Sequence, residues 1–167
     1  MAALSVRDHL LSRGCDVALY NVWLSGDTAT FLLWGFDGKL RGFQQYRPNA
    51  DKKETKPSHA RYFTWTSRPC LWGLETLPGE GVVYVCESVF KAIAVQSAGF
   101  NAVSANGSNI PQCLLAQMRL LRNFSFVAVG DDDAAGLKFS KTFGKGFTGP
   151  DLDELSSGQI RELLHDR

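Results

Sequence analysis

The segment after residue 80 constrains the fold most. Two runs, "GVVYVC" (81–86) and "FSFVAVG" (124–130), are apolar at almost every position, not at alternate ones. A strand wetted on one face alternates apolar and polar residues. A continuous run marks a strand covered on both faces, as in a parallel sheet. Between the two runs lies "SVFKAIAVQSAG", where Val89, Phe90 and Ile93 fall at helical spacing up to Gly99. The short strand-like "NAVSA" follows, then "PQCLLAQMRLLRN", a helix with Pro111 at its start. "AAGLKFSKTFG" predicts one more helix. Strand–helix alternation predicts a parallel sheet with crossover helices.

The first half reads differently. Residues 4–14 predict a short helix ending at Gly14, and "VALYNVW" and "ATFLLWGF" predict strands rich in aromatic and β-branched residues. "GFDGKLRGF" sets Asp37-Gly38 between two apolar runs, the signature of a hairpin turn. "PNADKKETKPSHA" (48–60) has no periodicity and predicts a mobile basic loop. The chain thus divides into a small antiparallel α+β subdomain over 1–78 and an α/β domain over 79–167, a length that can bury a real core.

No apolar run can span a bilayer, and "MAALSVRDHL" lacks a secretion pattern, so a cytoplasmic location with no membrane partner is expected. Cys15, Cys70, Cys86 and Cys113 form no C-x-x-C pair, so no zinc is expected and the thiols should be free.

Net charge is near neutral but unevenly spread. Lys39, Arg41, Arg47, Lys52, Lys53, Lys56, Arg61 and Arg68 are opposed over that stretch only by Asp51 and Glu54. After residue 130 acids dominate. A basic segment and an acidic cluster in one small protein suit a polyanion held beside metal ions. The plainer alternative for residues 51–56 is a solvated charged loop.

The acids fall at telling places. Glu87 follows one buried strand, and Asp131, Asp132 and Asp133 follow the other. In a parallel sheet the carboxyl ends of the strands share one edge, where ligands bind. On an extended segment Asp131 and Asp133 share a face while Asp132 points away. Asp151 and Asp153 repeat that spacing, although they could equally cap the last helix. Four aspartates and one glutamate form an all-oxygen set suited to Mg²⁺ or Mn²⁺. A phosphoacceptor receiver domain also carries acids at strand ends, but it needs more strand–helix units than follow Asp133.

"VVYVCESVFKAIAVQSAGFNAVSANGS" followed by "FVAVGDDDAAG" resembles the Toprim domain of topoisomerases and bacterial-type primases. "FLLWGFDGKLRGFQQYRP" and "ARYFTWTSRPCLWGLETL" resemble the segment that precedes Toprim in bacterial and phage primases, and "GPDLDEL" resembles the acidic D-x-D that closes the primase metal site. The resemblance covers roughly residues 28–156. It implies that Glu87, Asp131 and Asp133 are catalytic and, with Asp151 and Asp153, hold Mg²⁺ or Mn²⁺. It places Arg47 and Arg61 toward nucleic acid or nucleotide, and Gly107 in the turn after the second Toprim strand. Arg41, Lys52, Lys53 and Lys56 complete a phosphate-contacting set.

Two departures stand out. The usual E-G-x-x-D motif is here Glu87-Ser88-Val89-Phe90-Lys91, and the segment from Gly136 to Pro150 is short for a helix plus a full strand. The leading expectation is a minimal primase-like core from a phage or mobile element, acting in the host cytoplasm. It would join ribonucleoside triphosphates on single-stranded DNA, with a helicase or other replication protein supplying template recognition. One alternative is a small Toprim nuclease. The other is a Toprim-derived nucleic-acid or replisome binder, motivated by Ser88, Lys91 and the lack of a zinc module. Trp65 and Trp72 are either base-stacking residues or core.

Overall fold

The computed structural model describes residues 4–165. The first half forms α1 (Val6–Ser12), β1 (Trp23–Ser25), β2 (Thr28–Trp34), β3 (Leu40–Tyr46) and β4 (Tyr62–Thr66), followed by a 3₁₀ turn at Leu74–Thr76. The strands make an antiparallel sheet in the order β1-β2-β3-β4. The second half forms β5 (Gly81–Cys86), α2 (Val89–Ser97), β6 (Ala102–Ser104), α3 (Gln112–Leu120), β7 (Phe124–Asp131), α4 (Ala134–Ser140) and β8 (Phe147–Gly149), then a 3₁₀ turn at Leu152–Glu154 and α5 (Ser157–His165). Its four strands are all parallel, in the order β6-β5-β7-β8. The fold is therefore mixed α/β, with a parallel sheet and crossover helices preceded by a separate antiparallel sheet.

The continuous apolar runs are explained by covering on both faces. Along β5, Val83 and Val85 enter one core cluster while Tyr84 and Cys86 enter the other. Along β7, Phe126 and Ala128 alternate with Val127 and Val129 in the same way. Leu114, Leu115 and Met118 of α3 and Phe139 of α4 fill one side. On the other side, α2 and α5 share a core with Phe31, Leu33 and Tyr46 of the antiparallel sheet. The two sheets are thus joined by packed apolar side chains, and isolated bridges Trp34–Leu71 and Trp72–Ser104 stitch them further.

Local chemistry sets the boundaries. Ser5 caps α1 by accepting from the Asp8 N–H, and Gly14, with φ of 74°, releases the chain beyond it. Residues 17–20 of "VALYNVW" form turns, not the expected strand; the strand begins only at Trp23. The Asp16 carboxylate accepts from the Ala18 and Leu19 N–H groups, and Asn21 takes a positive φ of 52°. A side chain that bonds its own following backbone competes with a strand ladder. The hairpin lies at Asp37-Gly38 as expected, with Asp37 bonded to the Lys39 N–H and to Arg41. The stretch from Ala134 to Gly149 holds a seven-residue helix and a three-residue strand, so the missing length is taken from both.

Candidate active site and nucleic-acid cleft

Glu87 leaves the end of β5, Asp131 ends β7, and Asp151 follows β8, so three adjacent strands deliver acids to one edge. Asp133 caps α4, its carboxylate accepting from the Gly136 N–H at 2.7 Å. Asp153 lies in the 3₁₀ turn after Asp151. The Gly107 N–H donates to the Glu87 carbonyl at 2.8 Å, tying the turn after β6 to the backbone that carries the acid.

The backbone elbow at the triple aspartate depends on two glycines. A Cβ on Gly130 would run into the Gly136 backbone, and one on Gly136 would run into that of Asp131. The close approach lets α4 start directly against the end of β7.

The chain supplies its own cations to this edge. Lys91, in the first turn of α2, pairs with Asp131 and lies 3.4 Å from Asp151. Burial alone would lower the Lys91 pKa, but its pairing with Asp131 and Asp151 raises it. Arg13, at the end of α1, pairs with Asp153 and lies 3.6 Å from the centroid of the Phe90 ring. A hydrogen bond with Asp153, then burial, push the Asp151 carboxyl up to about 6, against the pull of Lys91. Asp153 is held below the usual carboxylate range: burial opposes this, and its bonds with Asp151 and Arg13 outweigh it.

Glu87 is the exception among the acids. Its Oε1 is buried and accepts no hydrogen bond from any described residue. Burial, then the Asp131 charge, raise its pKa, with Lys91 opposing and Asp133 adding a further raise. The Asp131 and Asp133 charges therefore both reach Glu87. An orphaned oxygen among like charges is where a cation fits, and the all-oxygen donor set suits Mg²⁺ or Mn²⁺. Among the described residues, no three His, Cys, Asp or Glu side chains already converge to hold a metal.

Beside the acids lies a cleft of about 470 Å³ lined by Arg13, Tyr46, Lys52, Glu54, Ala60, Arg61 and Tyr62. Arg13 belongs both to this cleft and to the acid edge, through Asp153. The expected basic residues divide around it. Lys52 and Arg61 line the cleft, with the Arg61 guanidinium donating to the Ala50 carbonyl. Arg47 is bonded to the Ala60 carbonyl and to Gln45, so both arginines shape the 48–60 loop. Lys53 and Lys56 are exposed on that loop. Arg41 pairs with Asp37 at the far end of β3, in a separate surface pocket with Arg68 and Cys113. Trp72 is buried core, whereas Trp65 is 51% exposed.

Sequence reasoning missed Arg13 and the two elbow glycines. Arg13 carries no local signal, since its partner lies 140 residues away. The spacing Gly130–Gly136 on either side of the aspartates was the available signal for the elbow.

No family model matches the chain, and no curated protein matches it. Solved structures do. A DnaG primase catalytic domain bound to single-stranded DNA superposes with a TM-score of 0.71 at 16% identity, covering 98% of this chain and 70% of that one. The primase fragment of the bacteriophage T7 primase-helicase gives 0.67 at 16% identity, over 94% of this chain and 72% of that one. The RNA polymerase domain of Mycobacterium tuberculosis primase DnaG, in complex with double-stranded DNA, gives 0.60 at 19%, over 96% and 63%. The match takes in the antiparallel sheet together with the parallel one, and the chain has the fold of these primase catalytic cores.

Proposed function

We propose that this chain is a primase-type core that binds single-stranded DNA and, with Mg²⁺ or Mn²⁺, joins ribonucleotides into a short primer. The observation that carries this reading is the junction at Arg13, where a basic, aromatic cleft meets an edge of five acids. Lys52 and Arg61 are cations that neutralise phosphates, and Tyr62, 45% exposed in the same cleft, offers a ring to a base. Glu87, Asp131 and Asp133 would hold the ion, with Asp151 and Asp153 completing the edge. The metal supplies charge neutralisation for phosphoryl transfer. Alternatively Glu87, whose pKa burial and the Asp131 charge raise, would exchange a proton with a reacting hydroxyl instead of holding the ion. Template choice falls to a helicase or other replication protein, as the joined primase-helicase among the structural neighbours suggests.

A second reading has its own observation. Lys91 holds Asp131 and Asp151, which favours a weakened enzyme that keeps only binding. One assay separates these readings from a nuclease. Purified protein is incubated with single-stranded DNA, labelled ribonucleotides and Mg²⁺, and the products are resolved on a gel. Short oligoribonucleotides that vanish in Asp133→Asn support the primase reading. Shortened template indicates the nuclease, and binding without products indicates the weakened core.

A further inference from the structure

We infer that Lys91 is a fixed cation of the acid edge, neutralising Asp131 and Asp151 where a second divalent ion would otherwise sit, so that the chain binds a single ion centred on Glu87 and Asp133. The inference rests on the proposed metal chemistry and deepens it.

Three observations carry it. First, Lys91 is the deepest member of its cluster. Its side chain is 10% exposed, against 40% for Asp131 and 50% for Asp151. The ammonium therefore lies beneath the acids and reaches two of them at once. A dication held by the same two carboxylates would face that buried positive charge at short range, where repulsion is weakly screened.

Second, helix stability does not explain a lysine here. Ser88 caps α2 by accepting from the Lys91 N–H, which puts Lys91 in the first turn. The positive end of a helix favours acids and disfavours a basic side chain. What holds the Lys91 charge in place is the pair of aspartates on β7 and after β8.

Third, Lys91 forms no ion pair with Glu87 or Asp133. The buried Oε1 of Glu87 gains no bond from it, and the Asp133 carboxylate bonds only the uncharged Gly136 N–H. With Lys91 on Asp131 and Asp151, and Arg13 on Asp153, the remaining unneutralised charge gathers at Glu87 and Asp133. That remainder suits one ion, not two.

The test is a count of bound ions on the full chain. Free Mn²⁺ is followed by electron paramagnetic resonance as protein is titrated in, with primer synthesis assayed separately. The parent should bind one Mn²⁺ per chain. Lys91→Asp should bind two, and Lys91→Gln should bind its ion at least about tenfold more tightly, the effect of removing one adjacent positive charge. Two ions on the parent, or none, would overturn the inference, and this count needs no variant to fold. A folded Lys91→Asp that still binds one ion overturns it as well, leaving Lys91 an ordinary ion-pair partner. The two readings fail separately. A parent that binds two ions and makes primers keeps the proposed activity and loses the fixed cation. A parent that binds one ion and makes no primers does the reverse.

Discussion

The described residues form two sheets of four strands each, and these use their faces in opposite ways. The parallel sheet is buried on both sides, so its strands show water only at their ends, and its chemistry is confined to one edge. The antiparallel sheet buries a single face, through Ala29, Phe31, Leu33 and Tyr46. Its other face carries Leu32, Trp34, Phe43, Phe63 and Trp65, with Trp23 74% exposed beside them. Phe43 and Trp65 stack across β3 and β4 with centroids 5.8 Å apart. A polar outer face would satisfy the fold alone. An aromatic one provides flat rings at the surface, while the parallel sheet provides charge. The joint between the sheets brings the cleft and the acids together.

The largest expected effect breaks that joint. Phe90 packs edge-on against Phe31 and Tyr46, with Arg13 over its ring. Phe90→Ala should cost about 3–5 kcal/mol, read as a lower urea midpoint. Phe63→Ala, on the outer face, should cost about 1 kcal/mol or less, as expected for a residue that leaves no buried cavity. Equal losses would show that the outer face is packed as tightly as the inner one.

The next effect is confined to the parallel sheet. Gly136→Ala sets a methyl group against the Asp131 backbone and should cost about 2–3 kcal/mol. Gly79→Ala meets no neighbour and should leave the melting temperature nearly unchanged. A tolerated Gly136→Ala would mean that the elbow can open.

Two substitutions sharpen the comparison on the antiparallel side. Trp65→Ala should weaken single-stranded DNA binding by about 1–3 kcal/mol if its ring stacks on a base, with the salt dependence unchanged. Replacing Lys52, Lys53 and Lys56 together by Ala should flatten the log–log salt slope by about 0.7 for each phosphate that is no longer neutralised. Titrations at several salt concentrations separate the two. A triple variant whose curves overlay those of the parent would return the loop to plain solvated charge.

The smallest effect concerns pH at the acid edge. With its carboxyl raised to about 6, the folded state binds the Asp151 proton more tightly than the unfolded chain does. That contribution to stability is complete below the ordinary carboxylate range and is lost as pH rises through about 6. Asp151→Asn removes the titration. The fall in melting temperature between pH 5 and pH 7 should therefore be shallower in the variant, and identical slopes would contradict the assignment.

The parallel sheet was legible because burial on both faces writes itself as continuous apolar runs, and its acids because they stand directly after those runs. The hairpin was legible from Asp37-Gly38. The rest depends on distant partners. "VALYNVW" carries strand-type residues, yet the Asp16 side chain claims the backbone ahead of them. Arg47 and Arg61 look like free cations in the sequence, but loop carbonyls hold both. Lys91 was visible as a departure from a motif. Its reach to Asp131 and Asp151 follows from the stacking of β5, β7 and β8, which no local pattern encodes.

The elbow between β7 and α4 has a consequence for inheritance. Its shape comes from bare backbone touching bare backbone at Gly130 and Gly136; of the acids between them Asp133 holds the Gly136 N–H, and Asp131 and Asp132 lend no side chain to that touch. Asp131 and Asp132 on such a frame can be exchanged without bending it. A lineage can then lose, trade or reinvent its reactivity while descendants keep the same silhouette. Kinship in such a lineage stays visible in three dimensions after it has faded from the letters.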